Sequence, residues 1–463
     1  MRMRIAATAL TLVAFVASTA GQPQQVDLIV YNAIVVTMDG GARVLPKGAV
    51  AIRGNQIVAV EAAEHIAAAY SAKDTIDAHG QIVMPGLINT HGHAPMVLYR
   101  GLADDLALME WLEKYIFPAE AKTVSPAFVR AGTRLAVLEM IQSGTTAYTD
   151  MYYFEEETAR VTRDAGMRGI LGQTIIQFPV ADANTPAEGL ARSEAFLKEF
   201  SGDELITPAL APHAMYTLDA ATLKAVRAMA DKYHAQVLIH LAETADEAET
   251  SRKQHKTSPT RYLESLGFWG PRTLAAHAVW LDAADIDILA KRKVGVSHNP
   301  ESNMKLASGT APVPALRAAG ITVGLGTDGA ASNNDLDMFE AMRQAAFLHK
   351  HAAKDPRTLP AREVLAMATI EGARALGMDD RIGSLEAGKR ADLILVSIAG
   401  ARQTPMYDPI SHLVYVTRGD DVQTSIVNGK VLMRDRKMLT LNEPDIIREA
   451  NGFSQKVREA VGK

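Results

Sequence analysis

The chain has 463 residues, 48% of them hydrophobic and 22% charged, with a formal net charge of -5. That length exceeds one small core and suits a barrel of about 250 residues or more with an added domain, and no basic excess invites a nucleic-acid partner. There is no cysteine, so disulfides, iron–sulfur clusters, thiolate zinc sites and a cysteine nucleophile are excluded, and any metal must rest on His, Asp or Glu.

In chain order, Met1-Arg2-Met3-Arg4 is basic, residues 5–17 are apolar and uncharged, and Ser18-Thr19-Ala20 supplies small residues where a peptidase cuts. This is the pattern of a signal peptide over residues 1–20, which predicts an exported, periplasmic protein. The apolar run is too short for a permanent span, and no other segment is long enough, so no stable membrane anchor is expected. Residues 26–30 and 48–52 are β-rich, and Arg53-Gly54-Asn55 is a turn signal. The C-terminal part has the same character over residues 391–396 and 424–427, followed by the hairpin turn Asn428-Gly429. These ends predict one small β-sandwich domain built from both termini, residues 26–84 with 386–440.

The middle, residues 85–385, has a different rhythm. Short apolar runs start near Ile82, Thr145, Gly169, Ile206, Gln236, Thr273, Val294 and Ile321, and helical patterns such as 220–234 and 311–319 lie between them. Near-continuous apolar strands alternating with helices imply a parallel sheet covered on both faces. Eight such units fit a closed TIM-type (β/α)₈ barrel better than an open doubly wound sheet, which is the alternative α/β architecture. After a break at Asn442-Glu443-Pro444, residues 445–461 read as a terminal amphipathic helix, with Gly452 weakening the pattern.

Polar residues gather at the ends of the apolar runs. Run one ends in Asn89-Thr90-His91-Gly92-His93, run four in Pro212-His213, and run five in His240-Leu241-Ala242-Glu243. Run six carries His277, run seven ends in Ser297-His298-Asn299, and run eight in Thr327-Asp328-Gly329. Alternate residues of a strand share a face, so His91 and His93 can bind one ion. In a barrel the C-terminal strand ends converge on one mouth, where active sites lie. Each histidine alone is better read as a packed core or surface residue. Their recurrence at strand end after strand end favours a metal site made by His91, His93, His240 and Asp328. Three imidazoles and one carboxylate suit Zn²⁺ with a position left for water; Fe²⁺ and Mn²⁺ also fit the ligand types. Such an ion lowers the pKa of bound water toward about 7, Asp328 can accept that water's proton, and Glu243 can act as a general acid. One decoy is set aside. Gly383-Ser384-Leu385-Glu386-Ala387-Gly388-Lys389 matches most of a phosphate-binding loop, but Arg390 stands where Ser or Thr is needed, and it reads as a turn into the β domain.

Taken together, these residues resemble the amidohydrolase superfamily, and more narrowly its 5′-methylthioadenosine/S-adenosylhomocysteine deaminase branch. The resemblance runs over nearly the whole chain after the leader. It is carried by Met84-Pro85-Gly86-Leu87-Ile88-Asn89-Thr90-His91-Gly92-His93, Ala211-Pro212-His213, His240-Leu241-Ala242-Glu243, Ser297-His298-Asn299-Pro300 and Gly326-Thr327-Asp328-Gly329-Ala330-Ala331-Ser332-Asn333-Asn334. The segment from Gly383 to Leu393 looks like the family's return into the β domain. Triazine hydrolases and guanine deaminases share much of this pattern.

The resemblance implies a hydrolytic deaminase of an adenosine-type substrate (5′-methylthioadenosine, adenosine or S-adenosylhomocysteine) with one Zn²⁺ per subunit. Glu243 would protonate the ring nitrogen, and His277 and Asp328 would guide the attacking hydroxide and its proton. Glu120 would bind the ribose, His213 would face the purine, and Trp111 would pack nearby. Gln173 stands where S-adenosylhomocysteine users of the branch place an arginine, which favours an uncharged 5′ group. Alternatives are hydrolysis of guanine, a pterin or a triazine at the same site, or a non-catalytic binding protein on the same fold. A small-molecule substrate and a homo-oligomer are expected.

Overall fold

The computed structural model describes residues 22–41 and 43–462; the expected leader over residues 1–20 lies outside them. Among the described residues no helix is long and apolar enough to cross a membrane.

The chain begins in β1 (Gln24–Val36), β2 (Val44–Arg53), β3 (Gln56–Ala62), β4 (Tyr70–Asp77) and β5 (Ile82–Pro85), with a short helix at Ala63–Ala69 that the strand pattern did not announce. The barrel strands follow as β6 (Leu87–Asn89), β7 (Thr145–Tyr152), β8 (Arg168–Ile175), β9 (Ile206–Pro212), β10 (Gln236–Leu241), β11 (Thr273–His277), β12 (Gly295–His298) and β13 (Val323–Leu325). The chain then returns as β14 (Leu393–Val396), β15 (Val422–Val427), β16 (Lys430–Arg434) and β17 (Lys437–Met438), and ends in a helix, Glu443–Val461. Pro444 enters this helix at its first turn, where a missing N–H costs nothing, and Asn442 caps it.

β6 to β13 pair in sequence order, every pair parallel. The ring is completed by Thr90 N donating to the Leu325 carbonyl at 2.9 Å and by Asp328 N donating to the His91 carbonyl at 3.0 Å. β7, β8 and β10 are buried at every position, as strands covered on both faces must be. The covering helices are capped as their sequences imply. Ser125 accepts from Phe128 N ahead of Pro126–Gln142, and Asp219 accepts from Thr222 N ahead of Ala220–Tyr233.

The strands from the two chain ends form one continuous path, β17-β16-β15-β14-β5-β1-β2-β3, with β4 on β1. It wraps a separate apolar core that includes Val30, Val50, Ile52, Leu393 and Ile426. Both ends therefore build one β unit, as expected, but its strands are hydrogen-bonded as one path and not as two independent sheets. The first apolar run is also divided. Ile82–Pro85 pairs with β1 and β14, and only Leu87–Asn89 enters the barrel. Gly86 makes the crossing possible, because a Cβ there would lie 2.0 Å from Thr146 Oγ1. The phosphate-loop decoy is a turn whose Gly388 N donates to the Ile57 carbonyl at 2.8 Å.

Candidate metal centre and active site

Strand register brings the candidate ligands together. The Asp328–His91 backbone bond that helps close the barrel sets the carboxylate against the first histidine. Asn89 strengthens the same seam: its Nδ2 donates to Thr327 Oγ1 at 2.7 Å, and its Oδ1 accepts from Thr327 N at 3.1 Å. His91 Nε2 and His93 Nε2 each lie 3.3 Å from Asp328 Oδ1. The facing nitrogens of His91, His93 and His240 lie within 4.8 Å of one another, as do the donor atoms of His91, His277 and Asp328. His277 and Asp328 have left-handed backbones (φ 70° and 64°), as does Ala242 beside Glu243 (φ 47°). Such conformations are costly for residues other than glycine and cluster where function requires a particular side-chain aim.

The hydrogen-bond partners aim the rings. Nδ1 of His93 donates to the Met151 carbonyl and Nδ1 of His240 to the His213 carbonyl, both at 2.8 Å, which leaves each Nε2 facing the cluster. Nε2 of His91 is buried without a well-directed hydrogen-bond partner. Burial pulls His91 down to about 4, His213 to about 3 and His240 well below its usual value. Burial acts the same way on His93, but its hydrogen bond to Asp328 and that group's charge lift it to about 9. Burial opposes ionisation of Asp328, yet the His91 and His93 imidazoles 3.3 Å away hold it well below the carboxylate range. A buried carboxylate among inward-facing imidazoles with an orphaned nitrogen fits a divalent cation of borderline softness, and among the described residues this donor set can hold one.

One cavity is lined by His93, Trp111, Glu120, His213, His240, Glu243, His277 and Asp328; His91 is buried and is not part of the lining. His277 Nε2 lies 3.9 Å from Glu243 Oε2 and 4.0 Å from Asp328 Oδ2. Burial raises the Glu243 carboxyl, partly offset by His277. Glu120 also lines the cavity, accepting from Tyr152 Oη at 2.7 Å, and burial pushes it up to about 7.

Two strand-end residues lie away from the cavity. His298 ends its strand as the other histidines do, but it does not line the cavity, and its Nε2 lies 3.0 Å from Nε2 of buried His349. Gln173 is likewise turned away. It donates to Asp182 Oδ2 at 2.8 Å and accepts from Glu155 N at 3.4 Å, while its neighbour Thr174 lines the cavity. Strand alternation explains this.

Several partners were missed. Ser302 and Ser332 donate to Asp328 Oδ2 at 2.6 and 3.0 Å, and Asn303 Oδ1 accepts from His277 Nδ1 at 2.9 Å. Glu247 accepts from the Ala242 and Glu243 amides at 3.0 and 2.8 Å, holding the turn that presents Glu243. Buried Asp150 accepts from Ala94 N, next to His93. Only Asp150 carried a signal of the kind used for Asp328, an acid at the end of an apolar run. The others lie on helices or loops with no distinguishing spacing.

The amidohydrolase family model matches residues 82–432. The chain is 45% identical over 432 residues to a 5-methylthioadenosine/S-adenosylhomocysteine deaminase of Syntrophobacter fumaroxidans, covering 93% of this chain and 98% of that one. It is 44% identical over 433 residues to a 5′-deoxyadenosine deaminase of Methanosarcina mazei, again covering 93% and 98%. Among solved structures, an adenosine deaminase from Xanthomonas campestris with bound zinc superposes with a TM-score of 0.93 at 39% identity, covering 94% of this chain and all of that one. A family match across the barrel, and relatives this similar along almost their whole length, make the chain a member of the amidohydrolase family.

Proposed function

We propose that this enzyme is a Zn²⁺-dependent aminohydrolase that replaces the 6-amino group of adenosine-type nucleosides with oxygen and releases ammonia. The observation that carries the reading is the convergence of the donor groups of His91, His93 and His240 with those of His277 and Asp328 at one cavity, with Glu243 beside His277 and Glu120 also in the lining. The relatives named as deaminases of methylthioadenosine and 5′-deoxyadenosine support it.

His91, His93, His240 and Asp328 hold the metal, which when bound supplies a water acidic enough to act as nucleophile near neutral pH. Glu243, whose carboxyl burial raises above its ordinary value, gives its proton to the ring nitrogen beside the amino-bearing carbon, which makes that carbon electrophilic. His277, with Nδ1 committed to Asn303, offers Nε2 as an acceptor that orients the nucleophile. Asp328 takes one proton of the water as the carbon–oxygen bond forms and passes it to the amino group. The second proton returns to Glu243 as the carbon–nitrogen bond breaks and ammonia leaves. Glu120 accepts from the ribose hydroxyls, and His213 and Trp111 contact the base.

The test is ammonia release from metal-analysed protein, with adenosine, 5′-deoxyadenosine, methylthioadenosine, S-adenosylhomocysteine, guanine, a pterin and a triazine as substrates. Turnover of adenosine nucleosides with one zinc per chain is expected; no release from any of them defeats the reading. Loading the apoprotein with Fe²⁺ or Mn²⁺ instead tests the metal. Glu243→Gln and Asp328→Asn are each expected to lower kcat by about 10²–10⁴-fold with the fold intact.

Residues 1–20 are proposed as a cleaved leader on their charge and apolar pattern, and a periplasmic protein still beginning at Met1 contradicts it. The proposed units are 26–84 with 386–440, and 85–385. A homo-oligomer is proposed; a single monomeric species in light scattering contradicts it.

A further inference from the structure

Beside the catalytic cavity lies a second chamber that shares Phe117, Glu120 and Tyr153 with it. Its outer rim, open to solvent, is Phe178, Pro179 and Val180, on the loop that follows β8, with Phe178 39% exposed. Phe117 and Phe178 meet edge to face, ring centroids 5.5 Å apart. The rim is preformed. Val180 N donates to the Ala183 carbonyl at 2.8 Å, Gln177 N donates to the Thr217 carbonyl at 3.0 Å, and Asp182 accepts from Phe154 N at 2.8 Å.

The chamber's charge is one-sided. Among the described residues that line it there are two carboxyl side chains, Glu113 and Glu120, and no Lys, Arg or His. Arg192, on the helix Pro186–Glu199 that follows the loop, is already engaged: its Nη2 lies 2.8 Å from Glu156 Oε1 and its Nε 3.3 Å from Asp182 Oδ2. Gln173 is held by Asp182 and does not reach in.

Glu120 stands where the two chambers join. Taking from the proposed function that it binds the ribose, a group on the 5′ carbon passes into the second chamber. We propose that this chamber selects adenosine nucleosides with uncharged apolar 5′ substituents, alkyl or aryl thioethers, over those that end in a carboxylate. An aryl group finds aromatic edges and faces in Phe117, Tyr153 and Phe178. A carboxylate there meets like charge and has no cation to pair with.

The test compares kcat/KM of the zinc-loaded enzyme for adenosine, methylthioadenosine, 5′-benzylthioadenosine and S-adenosylhomocysteine. The benzylthio compound is expected within about tenfold of methylthioadenosine, and S-adenosylhomocysteine about 100-fold below it. Equal use of S-adenosylhomocysteine and methylthioadenosine, or rejection of the benzylthio compound, overturns the inference and leaves the deaminase reading standing. No turnover of any of the four defeats the deaminase reading itself. Phe178→Arg is expected to raise the S-adenosylhomocysteine to methylthioadenosine ratio at least about tenfold by supplying the missing cation, and Phe178→Gln is not. An unchanged ratio in Phe178→Arg counts against the inference.

Discussion

At the scale of single residues, the site depends on groups that never touch the substrate. His277 lies buried with Nδ1 donating to Asn303, and this bond fixes which nitrogen faces Glu243 and Asp328. Asn303→Ala is expected to lower kcat by about 10–100-fold, the usual cost of losing such an orienting partner, with zinc content retained. Loss of zinc in parallel would assign Asn303 to the metal and not to His277. Glu120 makes a prediction in pH. Burial holds its proton on up to about 7, against the Tyr152 hydrogen bond. Below that pH the group is a carboxyl; above it, a carboxylate that accepts from ribose hydroxyls. The kcat/KM for adenosine should therefore rise as pH passes upward through about 7, and Glu120→Gln should remove that limb of the profile. A limb that persists in the variant belongs to another group. Asp328 and Glu243 were legible as residues because they end apolar runs. Ser302, Ser332 and Asn303 were not, because they lie on or beside helices whose periodicity describes burial and says nothing about which polar side chain an inward strand end will meet.

At the scale of elements, the strand ends carry the chemistry, and the spacing between them is tight. Gly326 follows β13, and a Cβ there would lie 2.5 Å from Asn299 Oδ1, 2.7 Å from Ser297 Oγ and 2.8 Å from His91 N. The last contact is backbone of a ligand residue, so it cannot swing aside. Gly326→Ala is expected to cost about 1–3 kcal/mol by overpacking and to lower zinc retention, read from thermal unfolding and from metal content after dialysis. A variant with full zinc content and unchanged Tm would mean the seam can relax. Strand alternation also sets which residue of β8 meets the cavity. Neighbouring residues face opposite ways, so the cavity takes Thr174 and the packed side takes Gln173. A one-residue offset is invisible in a fully apolar run, where both faces are buried and no polar alternation marks the inner one.

At the scale of the whole molecule, the β unit and the barrel are joined by a buried ion pair. Arg168, at the start of β8, bonds Asp392 with Nε at 2.7 Å and Nη2 at 3.1 Å, and the two side chains are 1% and 3% exposed. Asp392→Asn leaves the guanidinium uncompensated and is expected to destabilise the protein by about 3–5 kcal/mol, measured by denaturant unfolding with zinc held constant. A change under about 1 kcal/mol would mean that water reaches the pair. By itself the sequence determined the α/β rhythm, the β unit drawn from both ends, and the residue types of the metal site. These follow from local periodicity and from polar residues recurring where apolar runs stop. Only the tertiary structure decided which strand ends face one another, that His298 pairs with His349 outside the cavity, and that an acid-lined aromatic chamber adjoins Glu120. Those depend on register and on side chains meeting across elements far apart in sequence, and no local pattern encodes such distances.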